Sequence, residues 1–148
     1  MSDDAIHLSG VRFRWRVDGP LVLDIPEFSA RPGERLFVTG PSGGGKTTLL
    51  NLLAGIILSQ AGSVEVAGVD LTRLSGAKRD AFRADHVGFI FQMFNLLPFL
   101  SLTENVLLPC LFSSVRRAKA DAAPGGAEAE ARRLLAHMGL ADEAARGG

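Results

Sequence analysis

The sequence is short of the residues that would place it in several protein classes. It has one cysteine, one tryptophan and no tyrosine among 148 residues, and its 16 basic side chains balance its 16 acidic ones. A single cysteine cannot form an internal disulfide, so Cys110, in an apolar stretch, is expected to be a small buried side chain, with a reactive thiol as the alternative. Because neither half of the chain is strongly basic, the composition argues against nucleic acid as a partner.

Long hydrophobic runs are also missing. The most apolar region, residues 96–112, is interrupted by Pro98 and Pro109, and the acidic residues 1–4 are not followed by the apolar core of a signal peptide. The length corresponds to about one domain, and 47% hydrophobic residues can form a sizeable core. These features favour a cytoplasmic protein that is soluble or peripheral to a membrane.

A phosphate-binding motif is the most informative feature that is present. Nine consecutive residues contain the P-loop pattern G-x-x-x-x-G-K-[ST], namely Gly40, Pro41, Ser42, Gly43, Gly44, Gly45, Lys46, Thr47 and Thr48. Residues 34–39 before it have the pattern of a strand, and residues 48–57 after it have that of a helix. The motif therefore occupies the strand–loop–helix context in which it binds phosphates.

The chemistry of the motif follows from its residue types. Glycines let the backbone wrap closely around an anion, and successive N–H groups then point towards it. The helix after the loop adds unpaired amides and the positive end of its dipole. Lys46 would place a positive charge near the β- and γ-phosphates, and the hydroxyl of Thr47 suits a hard cation such as Mg²⁺.

The rest of the pattern alternates strands and helices. Apolar alternation and short apolar runs predict strands at residues 6–17, 21–30, 34–39, 62–68 and 87–91. Helices are predicted over residues 48–57, 75–85 and 128–138, and another from Ser101, which forms a capping box with Glu104. Gly139 is expected to end the last helix, and Pro26 either weakens the second strand or marks it as an edge. The first of these helices is apolar on nearly every face, which is typical of a helix buried against a sheet.

Three separated segments resemble one family, the ATP-binding domains of ATP-binding cassette (ABC) transporters. The first is the P-loop, and the second, residues 87–92, ends in Gln92 and is similar to the family's Q-loop. The third comprises residues 95–98 and 102–106, which are similar to the segment after the Q-loop. The likeness is colinear over most of the chain. Residues 94–98 most resemble the ATPases of lipoprotein-release, macrolide-export and cell-division type transporters.

The resemblance implies an α/β fold. It would comprise a P-loop NTPase core, an N-terminal antiparallel β subdomain and the start of an α-helical subdomain, with an incomplete sheet. Residues 1–91 would form the β subdomain and P-loop core, and residues 92–148 the Q-loop and the start of the helical subdomain.

The resemblance also implies ATP and Mg²⁺ as ligands and assigns residues to them. The P-loop residues would hold the phosphates, and Trp15 falls where the family has an aromatic residue that stacks on adenine, with Phe13 as the alternative. Gln92 would contact Mg²⁺ and the attacking water. Lys46 and Gln92 would then be the catalytic residues, and Thr47 and Gln92 the metal ligands.

Partners follow from the same resemblance. ATP hydrolysis in the complete domain would drive transport by transmembrane subunits, with a second ATP-binding domain completing a dimer at the inner face of the cell membrane. Apolar side chains after Gln92 would dock on the membrane partner, or alternatively fill this domain's own core. They are Phe94, Leu96, Leu97, Phe99 and Leu100.

The sequence departs from the family in what it omits. It contains no LSGGQ-type signature, second acidic motif (Walker B), catalytic glutamate or switch histidine, and residues 74–76, Leu-Ser-Gly, continue as Ala-Lys-Arg before the Q-loop. We therefore expect an N-terminal portion of the domain, with exposed sheet edges and weak or no turnover on its own.

Two other interpretations remain open. The chain could be a nucleotide-binding module without catalysis, or it could be a P-loop kinase or another NTPase. The latter treats Gln92 and residues 95–98 as coincidence.

Overall fold

An antiparallel sheet forms the N-terminal part of the protein. The structure is a computed structural model that describes residues 4–91 and 95–142. Its strands are β1 (Ile6–Phe13), β2 (Leu23–Ala30), β3 (Ala61–Val66) and β4 (Val69–Asp70). They lie in the order β2-β1-β3-β4, and every neighbouring pair is antiparallel. Pro26 therefore lies on an edge strand, which is one of the two alternatives predicted for it and is where a sheet tolerates proline.

Five helices and one 3-10 turn complete the described structure. The helices are α1 (Lys46–Leu53), α2 (Gly76–His86), α3 (Leu102–Phe112), α4 (Ser114–Asp121) and α5 (Gly126–His137), and the turn is Leu71–Arg73. The helix at Ser101 begins with the predicted capping box. Gly139, with φ of 78°, follows the end of α5 as predicted.

The core of the sheet is centred on β1. Leu8, Val11 and Phe13 of this strand are buried, together with Val64 of β3. Leu8 and Val11 are three residues apart, and the β1–β3 register shifts between Ser9 and Arg12. Such an irregularity disrupts the regular alternation along the strand, so the buried positions of β1 do not follow a strict period of two.

Most of the predicted elements are confirmed, with bounds that differ by up to four residues at an end. The strands predicted at residues 6–17, 21–30 and 62–68 correspond to β1, β2 and β3, and the helices predicted at residues 48–57, 75–85 and 128–138 correspond to α1, α2 and α5. The sequence reasoning missed α4, whose eight residues are all partly or fully exposed and therefore show no apolar stripe.

Two predicted strands are wrong. Residues 34–39 and 87–91 form no strand in the described structure, and their apolar side chains lie open to solvent. Phe37 is 92% exposed and Ile90 is 97% exposed. An apolar, β-branched pattern favours a strand, but a strand forms only where a neighbouring backbone supplies hydrogen bonds. Neither segment has such a neighbour within residues 4–91 and 95–142.

Two expectations about burial also need correction, namely that α1 is buried on nearly every face and that Cys110 is buried. Leu52 of α1 is buried but Leu50 is 47% exposed, so α1 is covered on one side and not all round. Cys110 is half-buried instead of buried. Both side chains lie on helices that have fewer packed neighbours than their apolar sequences suggest.

The chain divides into two compact units, Met1–Arg83 and Ala84–Gly148. In the first unit, Arg83 Nη1 donates to the Gly55 carbonyl just after α1 (2.9 Å). In the second unit, α5 buries Ala127, Ala131 and Leu135 against its neighbours. The predicted division at residue 91 stays a prediction.

Candidate functional site

The loop before α1 has the backbone conformation that a P-loop needs. Gly43 and Gly45 have φ of 78° and 82°, values that residues with a Cβ rarely adopt. Gly45 is the N-cap of α1. Because glycine has no side-chain oxygen, it leaves the first-turn amides of α1 to a ligand instead of capping them.

Gly44 and Gly45 are also closely approached by neighbouring atoms. A Cβ on Gly45 would lie 2.9 Å from Leu23 Cδ2 and 3.0 Å from the Val22 carbonyl oxygen. A Cβ on Gly44 would lie 3.0 Å from the Pro41 carbonyl oxygen. The loop is therefore packed closely against β2 at one end, which fixes the path of its amides.

Lys46 is oriented by the loop itself. Its ammonium donates to the carbonyls of Gly40 (2.8 Å) and Pro41 (2.7 Å). The positive charge is thus held inside the loop, where an anion would also bind. A phosphate bound there would accept a hydrogen bond from the same ammonium, and the attraction between two opposite charges makes such a bond stronger than one to a neutral carbonyl.

A cavity of about 440 Å³ opens at this loop. Its lining residues are Trp15, Val22, Ser42, Gly43, Gly44, Gly45, Lys46, Thr47 and Thr48. The structure thus brings Trp15, predicted from the far end of β1, to the same cavity as the P-loop. Sequence reasoning missed Val22, which directly precedes β2 and which no motif distinguishes.

Trp15 offers a flat ring to this cavity. It is 61% exposed, and its ring meets that of Phe13 edge to face, with centroids 4.9 Å apart. Phe13 is buried in the sheet core, so the alternative candidate has no free ring face. A large exposed aromatic face beside phosphate-binding amides suits the base of a nucleotide.

The hydroxyl residues of the loop differ in exposure. Thr47 is exposed, whereas Thr48 is buried, with only 6% of its surface exposed. Thr47 can therefore present its oxygen to a cation, whereas Thr48 contributes mainly packing at the base of the cavity. Gln92, the other predicted metal ligand and catalytic residue, lies outside the described residues.

The described residues offer no ready-made metal centre. In residues 4–91 and 95–142, no three His, Cys, Asp or Glu side chains are grouped so as to hold an ion. A cation at this site would depend on Thr47 and on oxygen atoms of the ligand. That arrangement suits Mg²⁺, which keeps its waters and binds through few protein groups and substrate phosphates.

The family is decided by a comparison with protein-family models. Residues 23–147 match the model described as "ABC transporter". The chain belongs to the ABC transporter family. The match includes the whole P-loop and the segment after Gln92, so it confirms the resemblance drawn from the sequence.

Curated ABC proteins resemble most of the chain. The lipoprotein-releasing system ATP-binding protein LolD of Novosphingobium aromaticivorans is 39% identical over 144 residues, covering 95% of this chain and 61% of the relative. The macrolide export ATP-binding/permease protein MacB of Rhodopirellula baltica is 37% identical over 138 residues, covering 91% of this chain and 19% of the relative. Both the lipoprotein-release and the macrolide-export resemblances are thereby confirmed. The chain spans about three fifths of the length of the first relative.

Solved ABC structures share the fold. The post-hydrolysis state of the ATP-binding cassette MJ0796, bound to ADP and Pi, aligns with a TM-score of 0.69 at 30% identity, covering 87% of this chain and 54% of that one. The predicted α/β fold class is confirmed by this likeness. Within the residues that the structure covers, no helix is both long and apolar enough to cross a bilayer.

The apolar segment after Gln92 is ordered by one asparagine. Asn105 of α3 accepts a hydrogen bond from the Leu97 N–H (2.8 Å) and donates to the carbonyls of Leu97, Leu100 and Ser101 (3.1, 3.0 and 3.0 Å). Within this segment, Phe99 is 78% exposed. Phe94 lies outside the described residues. The described part of the segment is thus a fixed turn that holds at least one large apolar side chain in solvent.

Proposed function

We propose that this chain binds ATP in the cavity between Trp15 and the P-loop. One observation carries the proposal, namely that an exposed aromatic ring and the consecutive P-loop residues 42–48 line the same cavity. The ring would stack on adenine, while the amides of residues 42–47 and the Lys46 ammonium would hold the phosphates. The glycines at positions 43, 44 and 45 support this, because they line the cavity without any side chain that could fill it.

Mg²⁺ would join the nucleotide at Thr47. The exposed Thr47 hydroxyl is the donor that fits, and the family resemblance adds the side-chain oxygen of Gln92. When bound, the ion would neutralise part of the charge on the phosphates. Lys46 would hold the γ-phosphate, and Gln92 would orient the attacking water in the complete domain.

The complete domain would hydrolyse ATP and drive export. LolD belongs by its name to a lipoprotein-releasing system, and MacB to macrolide export, so an export or lipoprotein-extrusion transporter is the type we propose. Transmembrane subunits would be the partners, placing the domain at the inner face of the cell membrane. The exposed Phe99 turn would meet them, because exposed apolar patches favour interfaces.

A second ATP-binding domain would complete the catalytic unit. The MJ0796 cassette, of which this chain covers 54%, is described as dimeric in its ADP- and Pi-bound state. In such a dimer each domain would supply the groups that the other's P-loop lacks.

Fluorescence gives a direct test of nucleotide binding, because Trp15 is the only tryptophan. Titrating the chain with ATP and Mg²⁺ should change Trp15 emission saturably, since a base stacked on the indole alters its surroundings. Lys46→Ala should weaken binding about tenfold or more, because a charge-assisted bond to phosphate contributes about 1.5–3 kcal/mol.

The matched control is Lys78→Ala, which removes an exposed lysine on α2 outside the cavity. It should bind as the parent does. Unchanged emission and no heat of binding with folded parent protein would overturn the proposal. Equal weakening by both lysine variants would reduce it to non-specific charge attraction.

A further inference from the structure

Gln60 makes an unusual pair of contacts next to the tryptophan. The Arg14 N–H donates to Gln60 Oε1 (2.8 Å), and Gln60 Nε2 donates to the Arg14 carbonyl (2.8 Å). The Gln60 N–H also donates to the Arg12 carbonyl (3.0 Å). One side-chain amide therefore satisfies both main-chain groups of Arg14, as a neighbouring strand would do.

The ordinary ladder has ended at this point. The last β1–β3 pair is Arg12 with Ala61, and the last β1–β2 pair is Phe13 with Leu23, followed by a bond from the Val22 N–H to the Phe13 carbonyl (2.9 Å). Arg14 comes after both ends. The side chain of Gln60 thus extends the β3 side of the sheet by one residue after its backbone pairing stops.

A bulge sets the direction of this extension. Gly10 and Gly62 have φ of 60° and 80°, and a Cβ on Gly62 would lie 2.4 Å from both the Gly10 carbonyl carbon and the Ser9 carbonyl oxygen. The two strands therefore approach too closely for any side chain at Gly62. Bulges of this kind bend a strand and change the direction of the residues beyond them, and here those residues include Arg14 and Trp15.

Trp15 itself has few contacts to hold it. It is 61% exposed, and the ring contact that the structure gives it is an edge-to-face one with Phe13, with centroids 4.9 Å apart. Its placement at the cavity depends mainly on the backbone just before it. Gln60 holds that backbone in place through the two side-chain hydrogen bonds described above.

We propose that Gln60 is the positioning residue for base recognition: its amide fixes the peptide of Arg14 and so presents the ring of Trp15 to the base of a bound nucleotide. This rests on the proposed function above. Gln60 is not among the residues that line the cavity of Trp15 and the P-loop, so it would act on the nucleotide through Trp15 and not by direct contact. Its effect is therefore on the base and not on the phosphates.

The experiment compares ATP with inorganic tripolyphosphate, which has the phosphates but no base, each titrated with Mg²⁺ by calorimetry. Gln60→Ala should weaken ATP binding about threefold to tenfold, which corresponds to losing one or two ordinary hydrogen bonds. Tripolyphosphate binding should change less than about twofold. Gln60→Glu keeps an acceptor for the Arg14 N–H but loses the donor to its carbonyl, so its effect on ATP should lie between parent and Gln60→Ala.

Spectroscopy supplies a readout that a purely structural role would not give. In nucleotide-free Gln60→Ala, the fluorescence anisotropy of Trp15, the single tryptophan, should fall while the thermal midpoint stays near that of the parent. The control is Ser63→Ala, a polar change on the same strand β3, which should alter neither affinity nor anisotropy. If Gln60→Ala does not fold, Gln60→Glu decides the question.

The outcomes separate the two proposals. A parent protein that binds neither ligand would overturn the proposed function and this inference with it. A Trp15→Ala variant with parental ATP affinity would overturn base stacking and therefore this inference, while ATP binding at the P-loop would stand. If Trp15→Ala weakens ATP binding while Gln60→Ala leaves it unchanged, only the role of Gln60 is lost. Equal weakening of ATP and tripolyphosphate by Gln60→Ala would likewise refute it, because the substitution would then act through the whole loop.

Discussion

Gly45 shows how much of the site is decided by a single residue. Its φ of 82° and its packing against Leu23 and Val22 are separate constraints. Gly33 has nearly the same φ, 80°, but a Cβ there would meet no atom within 4 Å. The two glycines therefore separate the cost of backbone strain from the cost of a clash.

We predict that Gly33→Ala destabilises the chain by about 1 kcal/mol, the strain of a left-handed residue. Gly45→Ala should cost more, by about 1–3 kcal/mol further, since Leu23 and the backbone at Val22 must move. It should also weaken ATP binding, because the shifted atoms border the cavity. Urea unfolding of both variants and the parent measures the difference. Equal losses would mean that the loop shifts freely away from β2.

At the scale of a secondary-structure element, Ser101 shows how one residue helps to determine where a helix begins. Its hydroxyl accepts from the Glu104 N–H (3.2 Å), and the Glu104 carboxylate accepts from the Ser101 N–H (2.8 Å). Ser101→Ala should destabilise by about 1 kcal/mol. Ser114→Ala, an exposed change at the first residue of α4, should cost much less. Thermal unfolding compares them, and equal effects would argue against the capping box.

The capping box should also make stability depend on pH. Two hydrogen bonds lower the pKa of Glu104 below its ordinary 4.5. The bond from the Ser101 backbone has the larger effect, and the bond from the Ser101 side chain has the smaller one. A lowered folded-state pKa means that the stabilisation is fully present above about pH 4.5 and is lost as the pH falls through the lower folded value. The parent's advantage over Glu104→Gln should therefore shrink as the pH falls below about 4.5. An advantage that grows on acidification would contradict this.

Phe37 tests the predicted strand that the structure lacks. With 92% of its surface exposed, Phe37→Ser should change the unfolding free energy by no more than about 0.5 kcal/mol. Leu8→Ala, in the centre of β1 and fully buried, should cost about 2–5 kcal/mol. Chemical denaturation distinguishes the two. A loss at Phe37 comparable with that at Leu8 would show that residues 34–39 pack as the sequence predicts.

The difference between correct and wrong elements has a physical cause. The capping box and the Gly139 helix stop depend on atoms within a few residues, so the sequence contains all that determines them. Residues 34–39 and 87–91 depend on a backbone neighbour far away in the chain. An apolar pattern predicts that such a segment can pair as a strand, but it does not show whether a partner strand is present.

The site follows the same division. The P-loop can be predicted whole, because its glycines and Lys46 act through their own backbone and neighbours. Trp15 needs the resemblance to the family, because its approach to the loop depends on the long-range pairing of β1. Gln60 has no pattern that could reveal it, since its role arises from two bonds to a residue 46 positions earlier.

At the scale of the whole molecule, the groups that hold phosphates are distinct from those that complete phosphoryl transfer. The 148 residues contain the P-loop and Gln92 but no signature and no Walker B acid. They span 61% of the LolD relative and 54% of the MJ0796 cassette. Phosphoryl transfer needs groups that hold the metal and orient water as well as groups that hold phosphates. Nucleotide affinity and turnover should therefore separate in this chain.

We predict that the 148-residue chain binds ATP with Mg²⁺ yet releases phosphate well below about 1 s⁻¹, the low end of ordinary enzyme turnover. A coupled phosphate assay at saturating ATP measures the rate. Lys46→Ala serves as the control for a contaminating ATPase, because the activity of a contaminant would survive that substitution. Turnover near about 1 s⁻¹ that Lys46→Ala abolishes would mean that residues within this chain complete the catalytic site. In that case Gln92→Ala should remove the activity while ATP binding persists, since Gln92 would then be the group that orients water.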